Sequence, residues 1–216
     1  QSNQGKTTLC LNFCAQNLEV NPVLMGNEYT TIEEEPTPRF LNRLESMDWV
    51  SWVNGSGQER FTLLPVWEDY VEHIVRDRMN IIDWINLEEH YLISPIMAGI
   101  KREIGKGIGI IAIQKAIGAD AGRGGQFTKD FADCEFLLDA YGENEVMLTV
   151  GKIKEPRRKI MGRTFAYGME KGVRIVRFRE VVKCHECWGK KWVKAGNSSK
   201  PCDACSQTGF IDKDIR

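Results

Sequence analysis

The chain opens with Gln1-Ser2-Asn3-Gln4-Gly5-Lys6-Thr7-Thr8, and the reading of these eight residues decides the fold. A phosphate-binding loop follows the pattern G-x-x-x-x-G-K-[ST]. Gly5, Lys6 and Thr7 supply its last three positions, and its first glycine would lie one residue ahead of Gln1. The chain is therefore expected to start inside the motif, with a strand and some earlier protein missing. The chemistry accounts for the residue types. Glycines let backbone N–H groups turn inward around phosphate oxygens. A lysine at position 6 adds a point charge for β- and γ-phosphates, and the Thr7 hydroxyl can ligate Mg²⁺. Thr8 begins the expected helix, 8–18, whose positive end faces the phosphates. A glycine-started helix with a surface lysine is the bland alternative.

Two acidic signals follow. Val23 to Met25 is a short apolar run that suits a buried parallel strand, and it leads into Gly26-Asn27-Glu28-Tyr29-Thr30. Ligands collect at the carboxyl ends of such strands, so Glu28 is placed to orient an attacking water. Otherwise it is a solvated loop carboxylate, as Glu33, Glu34 and Glu35 are expected to be. In Asn80-Ile81-Ile82-Asp83-Trp84-Ile85-Asn86-Leu87, apolar residues lead into Asp83 at a strand end. A carboxylate there can hold Mg²⁺ through its water shell; a turn aspartate after a buried strand is the alternative. Ser94 to Lys106 has helical spacing with Gly107 as its stop, and Ile108 to Ile113 then runs as a strand into Gln114. Helix and strand alternate, which predicts a parallel sheet covered on both faces. Residues from Phe40 to Trp52 predict one packed helix, and Trp49, Trp52, Trp67 and Trp84 are expected in the core.

The order of motifs resembles one family. GKTT (5–8), NEYT (27–30), IIDWINL (81–87), GIIAIQ (109–114), FADCEFLLD (131–139) and GKIKEPRR (151–158) follow one another as in the RecA-like core of hexameric replicative helicases of the DnaB class. The resemblance covers roughly 1–180. It implies an α/β, RecA-like P-loop NTPase fold with a mainly parallel sheet. It also implies ATP and Mg²⁺ as cofactors, a ring (hexameric in that family) as the assembly, and single-stranded DNA as the partner. On it, Glu28 is the catalytic glutamate, Asp83 the Walker B aspartate and Gln114 the sensor of the γ-phosphate. Gly5, Lys6, Thr7 and Thr8 hold the nucleotide, and Asp133 matches an aspartate of the family's D-A-D segment. The family's K-x-R motif becomes Lys152-Ile153-Lys154 here, with Arg157 and Arg158 beyond. The P-loop and IIDWINL are shared with RecA- and KaiC-like proteins, so an ATP-dependent switch without unwinding stays open. So does an interaction protein whose ATP site is vestigial.

Lys115 to Gln126 holds Gly118, Gly122, Gly124 and Gly125, the composition of a loop with wide backbone freedom. Lys115 and Arg123 could contact strand phosphates, or be ordinary loop charges. Val146 to Val150 reads as a strand and Val173 to Phe178 as another, joined as a hairpin by the basic run Lys152 to Lys159. Lys154 and Arg157 are the candidates to reach a neighbouring subunit's γ-phosphate; a solvated turn is the alternative.

Cys184, Cys187, Cys202 and Cys205 form C-x2-C-x14-C-x2-C, a second unit expected over 181–216. Two CxxC turns aim four thiolates at one point, the S₄ set that Zn²⁺ prefers, in a zinc ribbon or knuckle. A redox disulfide pair is the alternative, and His185 is a bystander. CWGKKW and CSQTGF also resemble the repeats of DnaJ-like zinc domains, but with only two pairs no chaperone role follows. Lys190, Lys191, Lys194, Trp188 and Trp192 could meet nucleic acid or protein. Net charge is −1, so nucleic-acid binding has to come from local patches. No apolar run is long enough for a membrane span, and metal-bound thiolates suit an intracellular, cytoplasmic setting.

Overall fold

The computed structural model describes residues 5–26, 28–31, 33–85, 92–115, 122, 125–196 and 198–215. The chain divides into two compact units, Gln1–Ala132 with Glu170–Arg174, and Asp133–Met169 with Ile175–Arg216.

The first unit is built on a four-stranded parallel sheet. Its strands are β1 (Val23–Met25), β2 (Thr62–Leu64), β3 (Met79–Ile82) and β4 (Ile108–Ile111), in the order β2-β1-β3-β4. Val23, Leu24 and Met25 pair with Asn80, Ile81 and Ile82, and Ile82 pairs onward with Ile111. Both faces are covered, as continuous apolar strands require. Leu24 and Ile81 pack into one cluster with Leu11, Cys14 and Phe40. Val23, Met25 and Ile82 pack into another with Tyr70, Ile93 and Ile100. Asn80, buried within β3, stays satisfied by gripping the backbone of Val75 and Arg78.

The helices differ from the sequence reading at their ends. The first, α1, spans Lys6–Ala15, starting two residues early because Gly5 takes the left-handed conformation (φ 75°) as its N-cap. It stops short of Leu18 where the Asn17 side chain donates to the carbonyl of Phe13. The helix expected from Phe40 to Trp52 is shorter: α2 covers Pro38–Ser46. Thr37 caps its start by accepting from Phe40 N, and Pro38 fits the first turn. Trp52 lies outside the helix and returns to donate to the carbonyl of Leu44, which also accepts from Met47 N. Next, α3 spans Ile93–Glu103 and is followed by left-handed Gly105 before Gly107 is reached. The three-residue β2 carries too little pattern to be seen in sequence. Trp49 and Trp67 are not core residues, being 45% and 47% exposed; Trp49 is covered instead by the Arg174 guanidinium, 4.4 Å from its ring centroid. A short α4, Gln126–Phe131, ends the unit's main segment.

The second unit is antiparallel. Its strands are β5 (Cys134–Tyr141), β6 (Glu145–Ile153), β7 (Thr164–Glu170), β8 (Arg174–Lys183), β9 (Trp192–Ala195), β10 (Ser198–Pro201) and β11 (Phe210–Asp212). Five form one sheet in the order β11-β8-β7-β6-β5, while β9 and β10 make a separate hairpin. The basic connector therefore joins β6 to β7, not to the 173–178 run, with Thr149 opposite Thr164. Ion pairs brace this sheet: Arg179 bonds Glu145 and Asp212 at 2.7 Å each, and Glu180 takes Arg163 and Lys213. The expected limit between residues 180 and 181 falls inside β8. Because β11 returns onto Val181–Lys183, the chain enters and leaves the cysteine module on adjacent strands.

Candidate functional site

In the first unit the parallel strands end together, and the candidate residues follow those ends. Asp83 N donates to the carbonyl of Met25 at 2.8 Å, and Ala112 N to that of Ile82 at 2.9 Å, so the strands run one residue past their formal ends in register. Glu28, Asp83 and Gln114 thus leave the same edge of the sheet, from β1, β3 and β4. The first turn of α1 lies beside that edge, with Lys6 and Thr7 close enough to act on Asp83.

Asp83 is the centre of this cluster. It is 1% exposed, and its Oδ2 accepts from the hydroxyl of fully buried Tyr29 at 2.6 Å. Its Oδ1 has no hydrogen-bond partner among the described residues. Burial pushes its pKa up, opposed by the Tyr29 and Thr7 hydroxyls and the charge of Lys6, with Glu28 adding to the rise. A buried carboxylate oxygen without a partner is costly, and so marks Asp83 as a candidate site residue. Glu28 itself is exposed and lies 3.5 Å from Trp84 Nε1, at the long limit of a hydrogen bond. Trp84 is half-buried.

Two contributors escaped the sequence reading. Tyr29 looked like one more loop residue after Glu28; its place behind Asp83 depends on a contact 54 positions away. Gly26 is the other. A Cβ there would come within 2.2 Å of the Asp83 carbonyl, so the close approach of the two strand ends requires glycine. A glycine directly after a buried strand was the available signal.

The remaining candidates fall as follows. Gly5 is buried and caps α1; Lys6 and Thr7 are half-buried in its first turn. Thr8 is buried, and its hydroxyl donates to the carbonyl of Gly172 at 2.7 Å. Gln114 and Lys115 are half-buried just past β4. Arg123 lies outside the described residues. In the second unit Lys154 donates to Asp133 at 2.6 Å within its own chain, and Arg157 is exposed.

The cysteine module, also in the second unit, is a site by geometry. Ligand atoms of Cys184, Cys187, Cys202 and Cys205 all lie within 4.8 Å of one another, and all four residues are buried. Cys184 Sγ is 3.8 Å from Cys202 Sγ, and Cys187 Sγ 3.7 Å from Cys205 Sγ. A tetrahedron with Zn–S bonds of about 2.3 Å has edges of about 3.8 Å. A disulfide needs about 2.05 Å, so these pairs are spaced for a metal and not for a bond. Two turns build the set. Trp188 N returns to Cys184 O and Lys190 N to Cys187 O; Gln207 N returns to Cys202 O, and Gly209 N donates to Cys205 Sγ at 3.3 Å. Left-handed residues follow each second cysteine, Trp188 and Ser206. Gly209 passes so close to Gly189 that a Cβ would lie 2.9 Å from its carbonyl. Burial raises the thiol pKa at Cys202 to about 12; at Cys187 burial is outweighed by backbone donors from Lys191 and Gly189, which bring it to about 7. His185 is exposed and no part of the set. The four cysteines could hold a metal ion such as zinc.

Among the described residues no helix is long and apolar enough to cross a membrane. Compared with protein-family models and with curated proteins, the chain matches none.

Proposed function

We propose that this chain hydrolyses ATP as a RecA-like motor of the replicative-helicase kind, forming a ring that moves along single-stranded DNA, with a structural zinc in its cysteine module. One observation carries the reading: the buried Asp83, with Oδ1 unpartnered, stands at a parallel strand end beside Lys6 and Thr7 and near Glu28. A phosphate chain entering there would meet the first-turn N–H groups of α1 and the Lys6 ammonium. Thr7 and Asp83 would hold Mg²⁺, which neutralises charge on the phosphates. Glu28, exposed at the next strand end, would orient the attacking water. Gln114, at the end of β4, would read the γ-phosphate. Lys115 and Arg123 are the candidates for the DNA strand. Arg157, exposed on the basic connector, is the better candidate to act on a neighbouring subunit, since Lys154 already holds Asp133. Metal-bound thiolates fit a reducing, intracellular compartment.

The test is nucleotide binding and turnover by the protein carrying this chain, with and without single-stranded DNA. Glu28→Gln should keep nucleotide binding and lose turnover by about 100-fold or more, because it removes water orientation and spares the phosphate cradle. Full turnover in that variant removes Glu28 from the mechanism. No nucleotide binding by the unaltered protein sinks the reading, and turnover without strand displacement points to an ATP-dependent switch.

A further inference from the structure

The cysteine module carries an unbalanced surface. Trp188 is 72% exposed and Trp192 50%, large areas of indole left in water. Lys190, Lys191 and Lys194 are exposed, and they make no ion pair among the described residues. Several other cations of the same unit are engaged: Arg163 and Lys213 with Glu180, Arg179 with Glu145 and Asp212, Lys200 with Asp203.

The local backbone explains why the rings stand out. In β9 side chains alternate, and Val193 packs against the cysteine cluster. Trp192 and Lys194 therefore take the opposite face, away from the metal site. Trp188, left-handed at φ 51°, and Lys190 lie on the turn that leaves Cys187; Lys191 follows, with its carbonyl tied to Cys202 N. The metal site thus fixes both ends of a segment that displays aromatic rings interleaved with ammonium groups.

We propose that this face of the module binds a single-stranded polynucleotide, bases stacking on Trp188 and Trp192 and phosphates meeting Lys190, Lys191 and Lys194. Flat π faces spaced among point cations match a strand whose bases are unpaired and whose backbone is uniformly charged. Protein-binding surfaces share the tryptophans but are depleted of lysine, and three unpaired lysines against a protein would leave charge to be desolvated. A duplex hides its base faces and leaves the rings nothing to stack on. The assignment stands on the module alone and does not require ATP hydrolysis.

The test uses the zinc-loaded protein and a fluorescently labelled oligo-dT, read by anisotropy over a series of salt concentrations. Trp188→Ala and Trp192→Ala should each weaken binding at least about fivefold, and the phenylalanine replacements should retain most of the affinity, because stacking needs only a π face. Lys190→Ala/Lys191→Ala/Lys194→Ala should flatten the log–log salt slope by about 2, at about 0.7 per phosphate contact on a single strand. One zinc per chain in each variant shows that the module is folded. Affinity for the unlabelled duplex of the same length should be lower. Unchanged affinity and salt slope in variants that keep their zinc overturn the proposal, and so does equal affinity for duplex; either result would leave the tryptophans to a protein partner.

Discussion

Removing the metal should unfold the cysteine module and spare both sheets. Among the described residues, the module's cluster contains two aliphatic side chains besides the four cysteines, Val193 and Ile211, each partly buried. Full burial of such a side chain is worth about 1.5–3 kcal/mol, so two half-buried ones supply about 1.5–3 kcal/mol between them. Structural zinc in comparable small sites supplies about 10–16 kcal/mol near neutral pH. A metal held there would contribute several times more, so the two CxxC turns and the β9–β10 hairpin are expected to lose their structure without it. Amide hydrogen exchange is the suitable assay, because the relevant donors are known. Cys184 N is bonded to Gly209 O and Cys202 N to Lys191 O, both at 2.9 Å. In reduced protein, chelation should strip protection from these amides. Those of β3, held between β1 and β4, should keep theirs, as should those of β7 within the antiparallel sheet. Cys202→Ser should behave as the chelated protein does. Unchanged protection of Cys184 and Cys202 after zinc has been shown to leave would refute the argument that metal, and not packing, holds the module.

Two further outcomes follow from particular contacts. Arg163 and then Lys213 hold the Glu180 carboxyl at about pKa 2, below its usual 4.5. A depressed carboxylate stabilises the fold above its unfolded pKa and loses that contribution as pH falls toward the folded one; Glu180→Gln should therefore narrow the loss of thermal stability between pH 4.5 and 2, and equal acid sensitivity in both proteins would count against the pairing. Gly26→Ala forces a methyl against the Asp83 carbonyl and should cost about 1–3 kcal/mol in urea denaturation, as overpacked sites do, with a loss of any ATP turnover; a stability unchanged within error would show that the strand ends are not so close.

Much of the architecture could be read from local pattern. Short apolar runs ending in polar residues located β1 and β3, which are buried throughout as continuously apolar strands are, and also β4, whose Ile108 is exposed. The four cysteines announced their site because ligand spacing within a CxxC turn is a local property. Glu28, Asp83 and Gln114 could be named as strand-end residues for the same reason. Tertiary structure alone decided what depends on distant partners. It put Tyr29 behind Asp83 and left Oδ1 open, required glycine at position 26, paired β6 with β7 across the basic connector, and set Lys154 on Asp133. It also turned Trp49 and Trp67 outward and drew Thr8 to Gly172. Most of these rest on contacts between residues well separated in the chain, where no periodicity or propensity acts. A side chain's partner there is chosen by the packing of whole elements, and sequence records only the residue types that such packing can use.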